Sequence, residues 1–201
     1  MSDNNAITIK TYNDEYQVYL GRTAPEVTGS IKEFIDAFLA HVKKDSAIVE
    51  IGSGPGRDAD YIESLGYTVV RTDAAQNFVE HMKKQGHDAK VLDIINENPS
   101  EQCDAVFANA VFLHFDKADF NKAVSHVAGM LHKNGVFALS LHEGTYSGLS
   151  SHKHSARYFH EWTKDDLVNA LLHHGFEVLE ILPGESVSKR KKWIMLILQR
   201  R

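Results

Sequence analysis

The sequence predicts an α/β protein, a parallel sheet with helices on both faces, and three observations carry that expectation. Short β-branched runs alternate with amphipathic stretches from about residue 47 to residue 141, the rhythm of strand–helix–strand units. The first run, Ile48-Val49-Glu50-Ile51, feeds Gly52-Ser53-Gly54-Pro55-Gly56, with glycine at every second position and a helix starting at Arg57-Asp58. A strand that enters such a turn at a helix N-terminus is a nucleotide-type binding loop. Beyond residue 175, two runs follow each other with no helix between them, which is simplest as an antiparallel pair.

The elements follow in order. Tyr12 to Arg22, with tyrosines at 12, 16 and 19, reads as a short helix or a flap across a cleft. Thr23 suits a helix cap, Pro25 its first turn and Glu26 the positive dipole end. Ile31, Phe34, Ile35, Phe38, Leu39 and Val42 then give that helix one apolar face. Strand one spans Ala47 to Ile51, with a helix from about Arg57 to Leu65 stopping at Gly66. Thr68 to Thr72 is strand two, and Gln76 to Lys84 the next helix. Lys90 to Leu92 and Asp104 to Ala108 are strands three and four. A helix carrying Phe120, Val124, Val127 and Leu131 on one side leads to strand five, Val136 to Leu141. Glu143 to Ala156 has no periodicity and reads as a long loop of the functional kind. Thr163-Lys164-Asp165-Asp166 opens a last helix like a capping box. Phe176 to Leu182 and Trp193 to Gln199 close the chain as two strands, joined by Pro183-Gly184 and a polar loop.

Bulk properties narrow the class. A chain of 201 residues accommodates one α/β core, so a single domain over 1–201 is expected. Residues 1–45 would form an N-terminal flap and helix, and 46–201 a core interrupted by a loop at 143–157. Net charge of -5 speaks against a general nucleic-acid binder. No apolar run approaches the roughly 20 residues that span a bilayer, and the first residues lack a signal-peptide core. The lone Cys103 fits a reducing compartment, and a cytoplasmic location is expected.

The glycine loop has two acidic companions. Glu50 sits two places before Gly52, and Asp73 stands at the end of strand two, 21 residues past Gly52. That spacing suits a carboxylate that accepts hydrogen bonds from ribose hydroxyls. The loop is G-x-G-x-G, with Arg57 where a dinucleotide fingerprint has its last glycine. Glu50 would oppose a pyrophosphate but welcome an ammonium group. A ligand with a ribose and an ammonium end therefore fits better than NAD.

These residues resemble the first motif of the class I S-adenosylmethionine-dependent methyltransferases, in the small-molecule branch. Asp73 resembles that family's second-strand acid, Asp93 the residue beside the adenine amino group, and Asn109-Ala110-Val111 the segment along the methionine part. The resemblance implies a Rossmann-like, doubly wound seven-stranded sheet, mostly parallel with an antiparallel last strand. It implies cofactor contacts from Glu50, Gly52, Ser53, Gly54, Gly56, Arg57, Asp73, Ala74, Asp93, Ile94, Asn109 and Ala110. Methyl transfer to an unidentified small molecule would then release S-adenosylhomocysteine. Tyr12 and Tyr16 resemble the family's aromatic flap, and the segment containing His160 and Trp162 resembles its substrate-pocket border.

Catalysis by positioning needs little covalent help, but an O or N acceptor can require a base. His114 after strand four and His142 after strand five are the candidates, with His160 a third histidine beyond the long loop. Twelve histidines include the clusters His152-Lys153-His154 and His173-His174, neither with zinc-ligand spacing, so no metal is expected. Lys189-Arg190-Lys191-Lys192 reads as a charged hairpin. Asn109-Ala110-Val111-Phe112 departs from the Asn/Asp-Pro-Pro-Tyr sequence of nucleic-acid amino-methyltransferases. Two alternatives stand beside the methyltransferase reading. One is a non-catalytic S-adenosylmethionine-binding module, the other a nicotinamide-dependent oxidoreductase. Oligomeric state has no signature in the sequence.

Overall fold

A computed structural model describes residues 3–150, 155–185 and 191–201. Two helices open it, α1 (Asp3–Asp14) and α2 (Tyr16–Arg22), before α3 (Gly29–Ala40). Then come β1 (Ala47–Ile51), α4 (Arg57–Ser64), β2 (Thr68–Asp73), α5 (Gln76–Lys84), β3 (Ala89–Val91) and β4 (Cys103–Asn109). A 3-10 turn at Phe112–His114 leads to α6 (Lys117–Met130) and β5 (Leu131–His142). Two short strands follow, β6 (Ser147–Leu149) and β7 (Tyr158–His160), and then α7 (Lys164–His173), β8 (Phe176–Glu185) and β9 (Lys192–Arg200).

Seven strands form one sheet in the order β3-β2-β1-β4-β5-β9-β8. The pairs from β3 through β5 are parallel, and β9 runs antiparallel to both β5 and β8. Strand alternation decides which side chain meets which layer. Ala105 and Phe107 of β4, with Val136 and Ala138 of β5, pack under Phe34, Phe38 and Ile62 from α3 and α4. Their neighbours Val106, Phe137 and Leu139 point the other way, onto Phe120 and Val124 of α6 and Leu167 of α7. Continuous apolar strands of this kind belong to sheets covered on both faces.

This topology fixes where a ligand can sit. β1 pairs with β2 on one side and with β4 on the other, so the chain order reverses between β1 and β4. A crevice opens at the carboxyl ends of strands where that reversal occurs. Ile51-Gly52 and Asn109-Ala110 form its two lips.

Four expectations need correction. Thr23 does not start the third helix: its backbone N–H and its hydroxyl both donate to Tyr19 O, ending α2. The helix begins at Gly29, with Thr28 at its N-cap. Leu131 is the first residue of β5, not the last of α6. The segment after β5 is not structureless, because β6 and β7 pair as an antiparallel ribbon. Pro183-Gly184 is not a turn but the end of β8, paired with Ile194 and Trp193. Proline is tolerated there because β8 is an edge strand with one neighbour. Thr163 does cap α7, its hydroxyl accepting from the Asp166 N–H. His152-Lys153-His154 and the Lys189-Arg190 half of the basic run lie outside the described residues, while Lys191 pairs with Glu161.

Candidate functional site

The turn after β1 is held by backbone bonds to β2. Ser53 N–H donates to Thr72 O at 2.8 Å, and Gly56 N–H closes back on Ser53 O at 2.9 Å. Gly52 and Gly56 adopt φ of +70° and +89°, a region that costs other residues strain. A Cβ on Gly52 would lie 2.4 Å from a Val111 methyl, and one on Gly56 2.7 Å from the Arg71 guanidinium. Glycine is therefore required there twice over, by conformation and by space.

Asp73 locks the turn from the other side. Its carboxylate accepts from Gly54 N–H and from Ala75 N–H, each at 2.8 Å. Burial raises its pKa to about 6, and those two N–H groups pull the other way. Glu50 lies deeper. Burial first, then the neighbouring Asp58, pushes it to about 8, against the pull of Arg71. Its Oε2 and the Ser53 hydroxyl are buried without a hydrogen-bond partner. Arg57 binds Asp58 at 2.7 Å, and Asp58 accepts from Asn109 Nδ2 at 2.7 Å. Ser140 Oγ donates to Asn109 Oδ1 at 2.6 Å and accepts from the Ala110 N–H at 2.9 Å. That chain of bonds holds Ala110 at a φ of +60° on the lip of the crevice.

Counting the solvent open to it, the crevice encloses about 720 Å³. Of the sequence-predicted cofactor residues, Gly52, Gly54, Asp73, Ala74, Asp93, Ile94, Asn109 and Ala110 line it. Glu50, Ser53, Gly56 and Arg57 support the turn from behind and are not in its wall. Asp93 lines the cleft, but its carboxylate already accepts from Asn5, Asn96 and the Ile95 N–H.

A roof of N-terminal helices covers this floor. Asn5, Thr8, Ile9 and Tyr12 of α1 and Tyr19 of α2 line the same cleft, with Phe78 of α5. Tyr12, Tyr19 and Phe78 meet edge-on or tilted at 5.5 to 6.3 Å. The roof is tied to the β6–β7 ribbon: Tyr158 N–H donates to Thr8 Oγ1 at 3.0 Å, and Thr11 Oγ1 donates to Ala156 O at 2.7 Å. Sequence reasoning missed Asn5, Thr8, Ile9, Tyr19 and Phe78 as site residues. A tyrosine seven places after Tyr12, two helical turns on, was the one legible signal.

His114 joins roof and floor. Its Nδ1 lies 2.7 Å from Tyr158 O, an atom that only accepts, so Nδ1 carries the proton. Nε2 then accepts from the Tyr12 hydroxyl at 2.9 Å. Burial holds the ring neutral, with its pKa pushed down to about 3. Burial also raises the Tyr12 phenol above its ordinary value.

Four other expected positions lie outside the cleft wall. His142 does not line the cleft: Phe159 stands between it and His114, with rings 6.0 and 4.8 Å away respectively, and Trp193 packs on its far side at 4.4 Å. Trp162 is a core residue packed on Phe120 at 4.6 Å. His160 packs on Trp162 and reaches Ser147 Oγ, away from the cleft. Tyr16 sits on Phe78 from outside the wall. Strand alternation and packing, not proximity in sequence, set these outcomes.

Asp60, Glu63 and His87 bring ligand atoms within 4.8 Å of one another. The buried Arg71 guanidinium already bridges the two carboxylates at 2.8 and 2.6 Å, which satisfies their charge without a metal.

Residues 49–139, a little under half of the chain, match the family model described as a methyltransferase domain. Among curated proteins, none matches the sequence. Solved structures do match in fold. A 1,6-didemethyltoxoflavin-N1-methyltransferase of Burkholderia thailandensis, with bound 1,6-didemethyltoxoflavin and S-adenosylhomocysteine, superposes with a TM-score of 0.77 at 15% identity over 98% of this chain and 88% of that one. The magnesium protoporphyrin IX methyltransferase of Synechocystis gives 0.74 at 13% identity, over 98% of this chain and 100% of that one. A glycopeptide N-methyltransferase complexed with S-adenosylhomocysteine gives 0.69 at 14% identity, over 94% and 97%.

Proposed function

We propose that this chain is a class I S-adenosylmethionine-dependent methyltransferase, an enzyme transferring the methyl of that cofactor to a small molecule. The observation that carries the reading is the donor and acceptor set at the switch point. Asp73 uses two of a carboxylate's roughly four acceptor positions on the glycine turn and Ala75. The remainder fits a ribose diol. Ile94 and Phe115 offer apolar flanks for adenine, and Asp93 and Asn5 its polar edge. Ala110, Asn109 and the Gly52–Gly54 backbone would border the methionine end.

When bound, the cofactor supplies a methyl on a sulfonium, whose carbon–sulfur electron pair returns to sulfur as the acceptor's lone pair forms the new bond. The protein's part is alignment and exclusion of water. Tyr12, Tyr19, Ile9 and Phe78 close the cleft from above. His114, neutral and doubly hydrogen-bonded, fixes the Tyr12 ring over the reacting region. An imidazole with a pKa near 3 is a poor base, so His114 acts here as an anchor. The favoured acceptor is one that is nucleophilic without help.

A roof tied to the ribbon favours an enzyme over a non-catalytic cofactor-binding module, which has no use for a closed acceptor space. Among the described residues, no helix is long and apolar enough to cross a membrane. A cytoplasmic location rests on the buried free Cys103. The test is incubation with S-adenosylmethionine and a metabolite panel, read by mass spectrometry for a methylated product. Tight cofactor binding with no product from any nucleophilic class in the panel would favour the binding module.

A further inference from the structure

A second, smaller cavity adjoins the cofactor cleft, and Tyr12 and Tyr19 line both. Its other walls include Glu15, Val18, Arg22 and Arg157. The Arg157 guanidinium lies 5.2 Å from the Tyr12 ring centroid and 5.6 Å from that of Phe159. One of its N–H groups donates to the Tyr12 hydroxyl at 3.1 Å, while Nε is buried with no partner. Among the described residues no carboxylate pairs with Arg157 or with the exposed Arg22. Glu15, the one acid in this wall, accepts from Ser155 Oγ at 2.8 Å.

A half-buried guanidinium clamped between aromatic rings, with an orphan donor and no carboxylate in ion-pair contact, is an unusual structural residue. Buried donors are normally satisfied, and a bidentate guanidinium fork matches a carboxylate better than any neutral group. We infer that this second cavity holds the carboxylate end of the methyl acceptor on Arg157, with the exposed Arg22 beside it, so that the substrate is a small carboxylic acid. The inference rests on the methyltransferase reading above. The shared Tyr12–Tyr19 wall is where the acceptor's reactive end would meet the methyl.

The test uses the full chain saturated with S-adenosylhomocysteine, titrated with benzoate, benzamide and inorganic phosphate. Benzoate is expected to bind about tenfold or more tighter than benzamide, the worth of one charge-assisted contact. Arg157→Gln should remove that preference and Arg157→Lys restore part of it, with S-adenosylhomocysteine affinity changed by less than about tenfold. Arg22→Gln should weaken benzoate by a smaller factor. Should Arg157→Gln fail to fold, the wild-type benzoate-to-benzamide ratio and the Arg22→Gln effect still decide. Equal binding of benzoate and benzamide, a preference that survives in Arg157→Gln, or binding of phosphate in place of benzoate would overturn the inference. Benzoate bound through Arg157 in a protein that does not take up S-adenosylhomocysteine would leave this site standing and sink the cofactor reading instead.

Discussion

The floor and the roof of the cleft are built by different means. Backbone makes the floor: a glycine turn bonded to β2, two strand ends and one carboxylate that ties them together. Side chains from distant parts of the chain make the roof, with Tyr12, His114, Arg157 and Tyr158 meeting across more than a hundred positions. A backbone site tolerates few substitutions because its geometry is steric. A side-chain site can lose one contact and keep its shape. The floor therefore suits a fixed cofactor and the roof a substrate that differs between relatives.

Substitution at Gly52 should separate the two regions most sharply. Gly52→Ala places a Cβ 2.4 Å from a stiff Val111 methyl at positive φ. Strain of about 1–3 kcal/mol and overpacking of about 1–3 kcal/mol should lower melting temperature and abolish measurable cofactor binding. Gly66→Ala is the control, since it too has positive φ but open space around it. If Gly52→Ala binds S-adenosylhomocysteine as Gly66→Ala does, the floor is not sterically set.

Asp73→Ala comes next. It removes the proposed ribose acceptor and the tie between Gly54 and Ala75. Loss of a charged contact is worth about 1.5 to 3 kcal/mol, a ten- to hundredfold fall in affinity by calorimetry. Unchanged affinity would place the ribose elsewhere.

The floor predicts a pH signature opposite in sign to that of the roof, where His114, held neutral, gains stability as pH rises from about 3 to 6.5. Glu50 and Asp73 have pKa values raised to about 8 and about 6 in the folded chain, against about 4.3 and 3.9 unfolded. Each raised carboxyl leaves stability intact below its unfolded value, and stability falls as pH climbs toward the folded value. Above about pH 6.5 His114 is neutral in both states, so ligand-free protein should melt at progressively lower temperature from there to about pH 8. Glu50→Gln should raise the melting temperature at pH 8 and flatten the upper part of that slope. A wild-type melting curve independent of pH over this window would contradict the buried-acid account.

The smallest effect is expected from the roof. Tyr12→Phe removes the hydroxyl shared by His114 and Arg157 and should cost about 1–3 kcal/mol in the roof's local opening. Hydrogen exchange in α1 and in residues 155–160 should quicken together, while cofactor affinity moves less than about tenfold. Exchange that quickens in only one of the two segments would mean that roof and ribbon are not one unit.

What could be read from the sequence divides along the same line. Strand alternation, the glycine turn and Asp73 are local patterns, so β1 to α5 and the floor were legible to within a residue or two. The antiparallel order at the far edge was implied by resemblance and is present. Pro183 misled because an edge strand tolerates proline. Thr23 misled because a hydroxyl caps either helix end. His142 was placed near the site by its position after strand five, and His160 and Trp162 by resemblance, yet His142 packs behind Phe159, Trp162 against α6 and His160 on Trp162. The roof was hidden for a thermodynamic reason. Asn5 reaching Asp93, or Thr8 reaching Tyr158, leaves no periodic trace in either segment.

The most direct check is calorimetry of the full chain with S-adenosylhomocysteine and, in a parallel cell, NAD. One site for S-adenosylhomocysteine is expected, lost in Gly52→Ala and weakened ten- to hundredfold in Asp73→Ala, with no heat from NAD. Saturable NAD binding without S-adenosylhomocysteine binding would contradict the assignment of this cleft.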